Sequence, residues 1–76
     1  MLSKRQIRVL EILRQPNLVL KQEYNSAKWV VGEVWALSSE CTHVSLMTKE
    51  VADLERLGHL TSHKSPVAYK CVYRLA

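Results

Sequence analysis

Five side chains in the sequence are of types that bind zinc: Cys41, His43, His59, His63 and Cys71. Cys41 and His43 are two residues apart, and His59 and His63 are four residues apart. Structural zinc sites are usually built on a Cys-x-x-Cys pair, which this sequence lacks. Cys71 also alternates with two tyrosines on the presumed core side of a strand. We therefore expect no metal site and no cofactor.

The sequence also lacks the motifs of known catalytic sites. It contains no Gly-x-Ser-x-Gly elbow, no P-loop and no glycine-rich dinucleotide fingerprint. No pair of carboxylates is placed for general acid–base work, and a chain of 76 residues leaves little room for a closed active site. We predict that the protein is not an enzyme.

The cations are distributed unevenly along the chain. Residues 1–21 hold five Lys or Arg and one carboxylate, and residues 22–55 hold two cations and six carboxylates. Residues 56–76 hold four cations and no carboxylate. A basic segment without acids is suited to phosphate, so nucleic acid is one candidate partner. An ordinary solvated surface is the alternative.

Two amphipathic segments predict helices. In residues 3–15, apolar side chains cover one wide arc, Ser3 is placed to cap the N-terminus, and Pro16 ends the helix. In residues 43–58, apolar side chains repeat at spacings of three and four, and this segment should be the longest helix: Val44, Met47, Val51, Leu54 and Leu57.

Both ends of the second predicted helix carry a local signal. Thr42 is placed as its N-cap, and Gly58 occupies the C′ position, where a positive φ is expected. The apolar arcs of the two helices should bury Leu54 against Leu10 or Leu13.

Four segments predict strands. Residues 18–24 alternate as a half-buried strand, and residues 29–35 are rich in β-branched and aromatic side chains. We interpret these two as a hairpin, with a short helix over residues 27–37 as the alternative. Residues 60–64 and 68–75 predict a second hairpin, joined by residues 65–67.

The segment VSLMTKEVADLERLGHL, residues 44–60, resembles the recognition-helix segment of bacterial winged-helix regulators, including repressors of the multiple-antibiotic-resistance type. Their pattern V-S-x-x-T-x-x-V-x-x-L-E-x-x-G-x-L is filled here at every fixed position. The basic hairpin that follows, ending in Tyr73-Arg74-Leu75, resembles the wing.

This resemblance implies a small α+β winged helix, with the order helix, β-hairpin, helix, β-hairpin, as one domain over residues 1–76. Winged-helix proteins have a short second helix where residues 18–36 predict a hairpin. The chain is similar in this respect to short phage and prophage proteins.

The second predicted helix presents a polar face opposite its apolar one: Ser45, Thr48, Lys49, Ala52 and Arg56. A major groove admits one helix, and short polar groups with Lys or Arg can reach base edges and phosphates there. We predict that Ser45, Thr48, Lys49 and Arg56 contact DNA. The wing adds cations for the phosphate backbone: Lys64, Lys70 and Arg74. A solvated face that binds nothing is the alternative.

Two tryptophans, Trp29 and Trp35, are six residues apart and would lie on the same side of one strand. We favour the interpretation that both fill the small core. The alternative is an exposed aromatic patch that binds a partner protein.

Composition sets the class of protein and its expected compartment. The chain is 47% hydrophobic and 24% charged, as globular domains are, and it has no run of 18 apolar residues for a membrane span. The first eight residues show no secretory signal pattern, and two cysteines are too few for a disulfide framework. We therefore expect reduced thiols, a cytoplasmic location and no membrane association.

The function predicted from these features is binding of double-stranded DNA by a small transcriptional regulator. Its interface would be the 43–58 helix and the 60–75 wing. We expect a homodimer that contacts two half-sites, because one small winged helix binds weakly alone. The alternative is a phage- or mobile-element-encoded interaction module that inhibits a host defence or nucleic-acid-processing protein complex.

Overall fold

The computed structural model describes residues 1–64 and 69–76 as two helices on a five-stranded antiparallel sheet. The chain is therefore a small mixed α+β protein in which the sheet is the larger part. The predicted connection over residues 65–67 and the predicted strand start at Ala68 lie outside the described residues. In chain order the elements are α1 (Lys4–Ile12), β1 (Val19–Glu23), β2 (Trp29–Gly32), a 3-10 turn (Ser38–Glu40), β3 (Thr42–Val44), α2 (Thr48–Arg56), β4 (Leu60–His63) and β5 (Tyr69–Leu75).

Helix α1 begins at the predicted cap. The Ser3 hydroxyl accepts a hydrogen bond from the Gln6 amide at 3.2 Å, and the Ser3 amide donates to Gln6 Oε1 at 2.7 Å. This reciprocal pair satisfies two amides that a helix N-terminus otherwise leaves without partners. Val9 and Leu13 are buried, as expected for the apolar arc. The helix ends at Ile12, a few residues before Pro16.

The first hairpin is confirmed, and the alternative helix over residues 27–37 is wrong. Strands β1 and β2 pair antiparallel, with Leu20 opposite Val31, and β2 ends at Gly32. The expectation of a half-buried β1 is also wrong, because its residues 19–22 are all buried. The strand order β3-β2-β1-β5-β4 makes β1 the central strand, and both of its faces are covered.

The segment before α2 forms a strand where a helix was predicted. Residues 42–44 form β3, which pairs with β2 so that Val44 lies opposite Trp29. The helix begins only at Thr48, with Met47 as its N-cap, and has nine residues, as α1 does. The prediction of a helix over 43–58 as the longest is therefore wrong. Pairing with the open edge of β2 provides a tertiary contact that local sequence periodicity cannot indicate.

The end of α2 is as predicted. Gly58 has a φ of 86°. Its amide donates to the Glu55 carbonyl at 3.0 Å, and the His59 amide donates to the Leu54 carbonyl at 2.9 Å. These two bonds define a Schellman motif, in which the C′ residue must be left-handed. The chain then enters β4 at Leu60 without a linker.

The core lies between the two helices and one face of the sheet. Leu54 is fully buried in the same cluster as Leu13, and Leu10 packs against that cluster, in agreement with the expected helix contact. Two other members of the predicted apolar face of α2 are not core residues: Met47 is 62% exposed and Leu57 is 55% exposed. Shortening the helix to residues 48–56 places both of them outside it.

Candidate functional site

Helix α2 presents a polar face to solvent. Lys49, Ala52 and Arg56 are exposed, while Val51 and Leu54 on the other side of the helix are buried. Lys49 and Arg56 are seven residues apart, so they lie on the same side, about 10 Å apart along the axis. Arg56 Nη2 is 2.9 Å from Asp53 Oδ1, and this ion pair lowers the free positive charge of the face. Thr48 is exposed in the first turn.

Ser45 lies outside this face. It is exposed, but it belongs to the three-residue connection between β3 and α2 and not to the helix. The predicted stripe of groove-contacting side chains therefore loses its first member. The helix brings together Thr48, Lys49 and Arg56.

The second hairpin carries its cations at two different places. Strands β4 and β5 pair antiparallel, with Leu60 opposite Leu75 and His63 opposite Val72. Arg74 lies between Tyr73 and Leu75, which both pack against the core, so its side chain extends from the sheet face away from the helices. The structure thus does not bring Arg74 together with Lys49 on one surface.

Lys70 and Lys64 lie at the other end of the hairpin. The register between β1 and β5 shifts, so that Gln22 is opposite Cys71 and Glu23 is opposite Tyr69. Lys70 is the extra residue of this β-bulge, and its side chain is exposed. Lys64 directly follows β4 and is also exposed.

A carboxylate that sequence analysis did not single out joins the N-termini of the two helices. Glu50 Oε2 accepts from the Ser3 hydroxyl at 2.9 Å, and Glu50 Oε1 accepts from the Met47 amide at 3.1 Å. Arg5 Nε lies 3.5 Å from the same carboxylate. Partial burial opposes ionisation, but these hydrogen bonds and the Arg5 charge outweigh it and hold the pKa of Glu50 below its usual value. Only the Glu50 half of a capping box is present, because Met47 has no side-chain oxygen to accept from an amide, so the sequence carries no standard capping signal here.

The two tryptophans have different environments. Trp29 is buried, as the core interpretation expects, and its ring centroid lies 6.0 Å from that of Tyr73. Trp35 is 82% exposed, so the core interpretation is wrong for this residue. The reason is that β2 ends at Gly32, which places Trp35 in the following loop. Leu37 in the same loop is 67% exposed.

A buried lysine holds this loop against the sheet. Lys21 is fully buried in β1, and its Nζ donates to the Glu33 carbonyl at 2.7 Å and to the Ala36 carbonyl at 3.0 Å. The Tyr69 hydroxyl donates to the same Ala36 carbonyl at 2.9 Å. In a half-buried strand, alternation would leave Lys21 on the side exposed to solvent, opposite the side of buried Leu20. The contacts show that the loop covers that side.

The described residues include no group of three or more His, Cys, Asp or Glu side chains placed to hold a metal ion. Within the same residues, none of the helices is long and apolar enough to cross a membrane. Comparison with known proteins found no matching family model, no matching curated protein and no matching solved structure.

Proposed function

We propose that the protein binds double-stranded DNA, with the exposed face of α2 in the major groove. The observation that carries this proposal is the placement of Lys49 and Arg56 on one side of a short helix, with only Ala52 and Asp53 between them on that side. Ala52 permits close approach of the helix to base edges. Lys and Arg are the side chains that most often contact guanine in the major groove.

The ion pair between Arg56 and Asp53 is compatible with this role. Both groups are exposed or partly exposed, and exposed pairs of this kind contribute little to stability. A phosphate or a guanine can therefore replace Asp53 as the partner of Arg56 at small cost.

The hairpin that follows α2 supplies the phosphate contacts in this proposal. The resemblance of residues 44–60 to a winged-helix recognition segment, followed by the β4–β5 hairpin, supports a winged-helix mode of binding. Lys64 and Lys70, at the end of the hairpin near residues 65–68, are the cations assigned to phosphate. We leave Arg74 out of this interface, because it lies opposite Thr61, at the end of the hairpin far from residues 65–68. Regulation of transcription and a homodimer on two half-sites are parts of the same proposal.

The experiment is a fluorescence-anisotropy comparison on a duplex selected by the wild-type protein from a random library and on variants of that duplex with single base-pair changes. Lys49→Ala and Arg56→Ala should each relax preference at one base pair and cost roughly 1–3 kcal/mol if the lost contact is bidentate. Lys70→Glu should weaken binding to all duplexes alike. Arg74→Glu reverses a charge in the same strand and is the matched control, which should keep the wild-type affinity. An equal loss of DNA affinity in the Lys70 and Arg74 variants would reject the assignment of Lys70, and not Arg74, to the phosphate backbone.

A second candidate function, protein binding, rests on the exposure of Trp35 and Leu37. Two large apolar side chains on a loop fixed by Lys21 make a preordered contact surface of the kind that interfaces use. In this case Trp35→Ala and Leu37→Ala should abolish cross-linking to a partner in host extract and leave the melting temperature unchanged. A partner captured equally by the wild type and both variants would exclude this surface.

A further inference from the structure

A groove runs between α1 and strand β3, on the outer edge of the sheet. Strand β3 is the first strand in the sheet order, so β2 is its neighbour on one side only among the described strands. The groove has a volume of about 330 Å³. Its walls are five consecutive residues of the edge segment and one side of α1: Thr42, His43, Val44, Ser45 and Leu46 with Arg5, Arg8, Val9 and Ile12.

The lining of this groove combines two chemistries. Val9, Ile12 and Val44 make it apolar, and Leu46 is one of the buried core residues. Arg5 and Arg8 bring two cations to it, one helical turn apart on α1. The described residues that line it include no carboxylate, but Arg5 Nε lies 3.5 Å from Glu50 Oε1 beside the groove, whereas Arg8 has no ion-pair partner among the described residues.

We propose that this groove binds an extended segment of a partner protein. The segment carries an acidic side chain on either side of an apolar one, and it adds to the sheet as a strand beside β3. The outer edge of β3 offers backbone donors and acceptors, which is the basis of strand addition. The apolar side chain enters the groove between Val9 and Val44. One carboxylate pairs with Arg8, and the other binds the terminal guanidinium nitrogens of Arg5, whose Nε stays beside Glu50.

Charge and surface chemistry select this occupant over two others. A second copy of the chain would set the same cationic edge against itself, which like charges oppose. A nucleic acid would satisfy the arginines through phosphate, but its backbone has no apolar group for the groove and does not pair with a strand edge. The site lies beyond the proposed DNA interface and uses neither Lys49 nor Arg56.

The probe is a capped peptide, Thr-Glu-Thr-Val-Thr-Glu-Thr, whose alternation puts both Glu and the Val on one face of a strand. Titrated into the ¹⁵N-labelled full chain, it should shift the amide signals of residues 42–46 in a saturable way, with a Kd below about 1 mM. The same peptide with Lys in place of Glu should bind at least about tenfold more weakly, because it brings like charge to the arginines.

Two further comparisons separate strand addition from adhesion to a basic patch. Alternate residues of a strand direct their N–H groups to the same side, so N-methylation of one alternate set of the peptide should abolish binding and that of the other set should not. Arg8→Glu should weaken binding by about tenfold, a change of 1.4 kcal/mol, and Lys70→Glu should leave it unchanged. Retention of binding by both methylated peptides would overturn the proposal, and so would the absence of shifts at residues 42–46.

Duplex DNA is the remaining arm of the test. It should shift signals of α2 residues and leave those of residues 42–44 in place. Shifts of residues 42–44 with DNA, and none with the peptide, would assign the groove to nucleic acid and reject the strand proposal. If DNA shifts no signals of α2 but the peptide still shifts those of residues 42–46, the proposed DNA function is rejected and the peptide site is retained.

Discussion

The ammonium group of Lys21 lies 4.1 Å from the ring centroid of Tyr69, on the sheet face away from the two helices. The β-bulge at Lys70 creates this pair, because it moves Tyr69 to the side of the sheet where Lys21 lies. A buried ammonium must have its donors satisfied, and here two loop carbonyls and an aromatic face surround it. The pair therefore determines where the loop with Trp35 lies.

Removal of the Lys21 charge should destabilise the protein and release the loop over residues 33–37 from the sheet. Lys21→Met keeps most of the apolar stem but loses two charged hydrogen bonds, and we expect a cost of roughly 1–3 kcal/mol in urea unfolding. Amide exchange should become faster at residues 33–37. Lys28→Met, at an exposed position of the β1–β2 turn, is the control and should change the unfolding free energy little. Unchanged exchange in Lys21→Met would show that the loop is held by other contacts.

Two leucines near the C-terminus of α2 provide a matched test of the core. Leu54 is fully buried, so Leu54→Ala should cost about 2–5 kcal/mol, a large part of the stability of so small a domain. Leu57 is more than half exposed, so Leu57→Ala should have a small effect. The measurement is thermal and urea unfolding of both variants. Similar midpoints for the two would contradict the described position of α2.

The two glycines should respond to alanine for different reasons. At Gly58 there is space for a methyl group, but the φ of 86° strains any L residue, so Gly58→Ala should cost about 1–2 kcal/mol. At buried Gly32 a methyl group would collide with Cys41 Sγ, so Gly32→Ala should cost more unless the Cys41 segment moves. Denaturant midpoints give both values. A neutral Gly32→Ala would mean that residues 38–41 do not lie against β2.

The lowered pKa of Glu50 predicts a pH dependence of stability. Because the unfolded carboxyl has the higher pKa, the unfolded state binds more protons between the two values, and stability falls as pH drops through the folded pKa. Glu50→Gln removes this contribution. The difference in unfolding free energy between wild type and Glu50→Gln should be largest near neutral pH and shrink below about pH 4.5. A difference independent of pH would show that the charge of Glu50 is not what joins the helices.

The parts of the fold that were predicted correctly are those that depend on local sequence signals. The Ser3 cap, the Gly58 terminus and the Leu54 contact depend on residues close in sequence or on a clear apolar spacing, and the structure agrees with all three. Residues 43–47 were wrongly predicted as helical because the apolar spacing of α2 continues backwards through Met47 to Val44. Only the open edge of β2, a tertiary feature, makes β3 the better state for that segment.

The site was harder to predict than the fold for a related reason. Whether Trp35 is buried depends on where β2 ends, and whether Lys21 is exposed depends on a loop that folds back over the sheet. The burial of Trp35 and of Lys21 therefore cannot be predicted from the residue type or its immediate neighbours. Lys49 and Arg56 were placed correctly on an exposed face because both lie inside the part of the helix that its apolar spacing defines.

The most direct test of DNA binding by α2 is an anisotropy titration of wild-type protein and Lys49→Ala on mixed-sequence duplexes at two salt concentrations. We predict saturable binding by the wild type with a Kd below about 100 µM at low salt, weakened by added salt with a slope of about 0.9 per phosphate contact. Lys49→Ala should lose the preference at one base pair that the wild type shows among these duplexes, while its melting temperature stays unchanged. If the wild type shows no saturable binding below about 100 µM, a range in which even non-specific DNA binders respond, the account is contradicted.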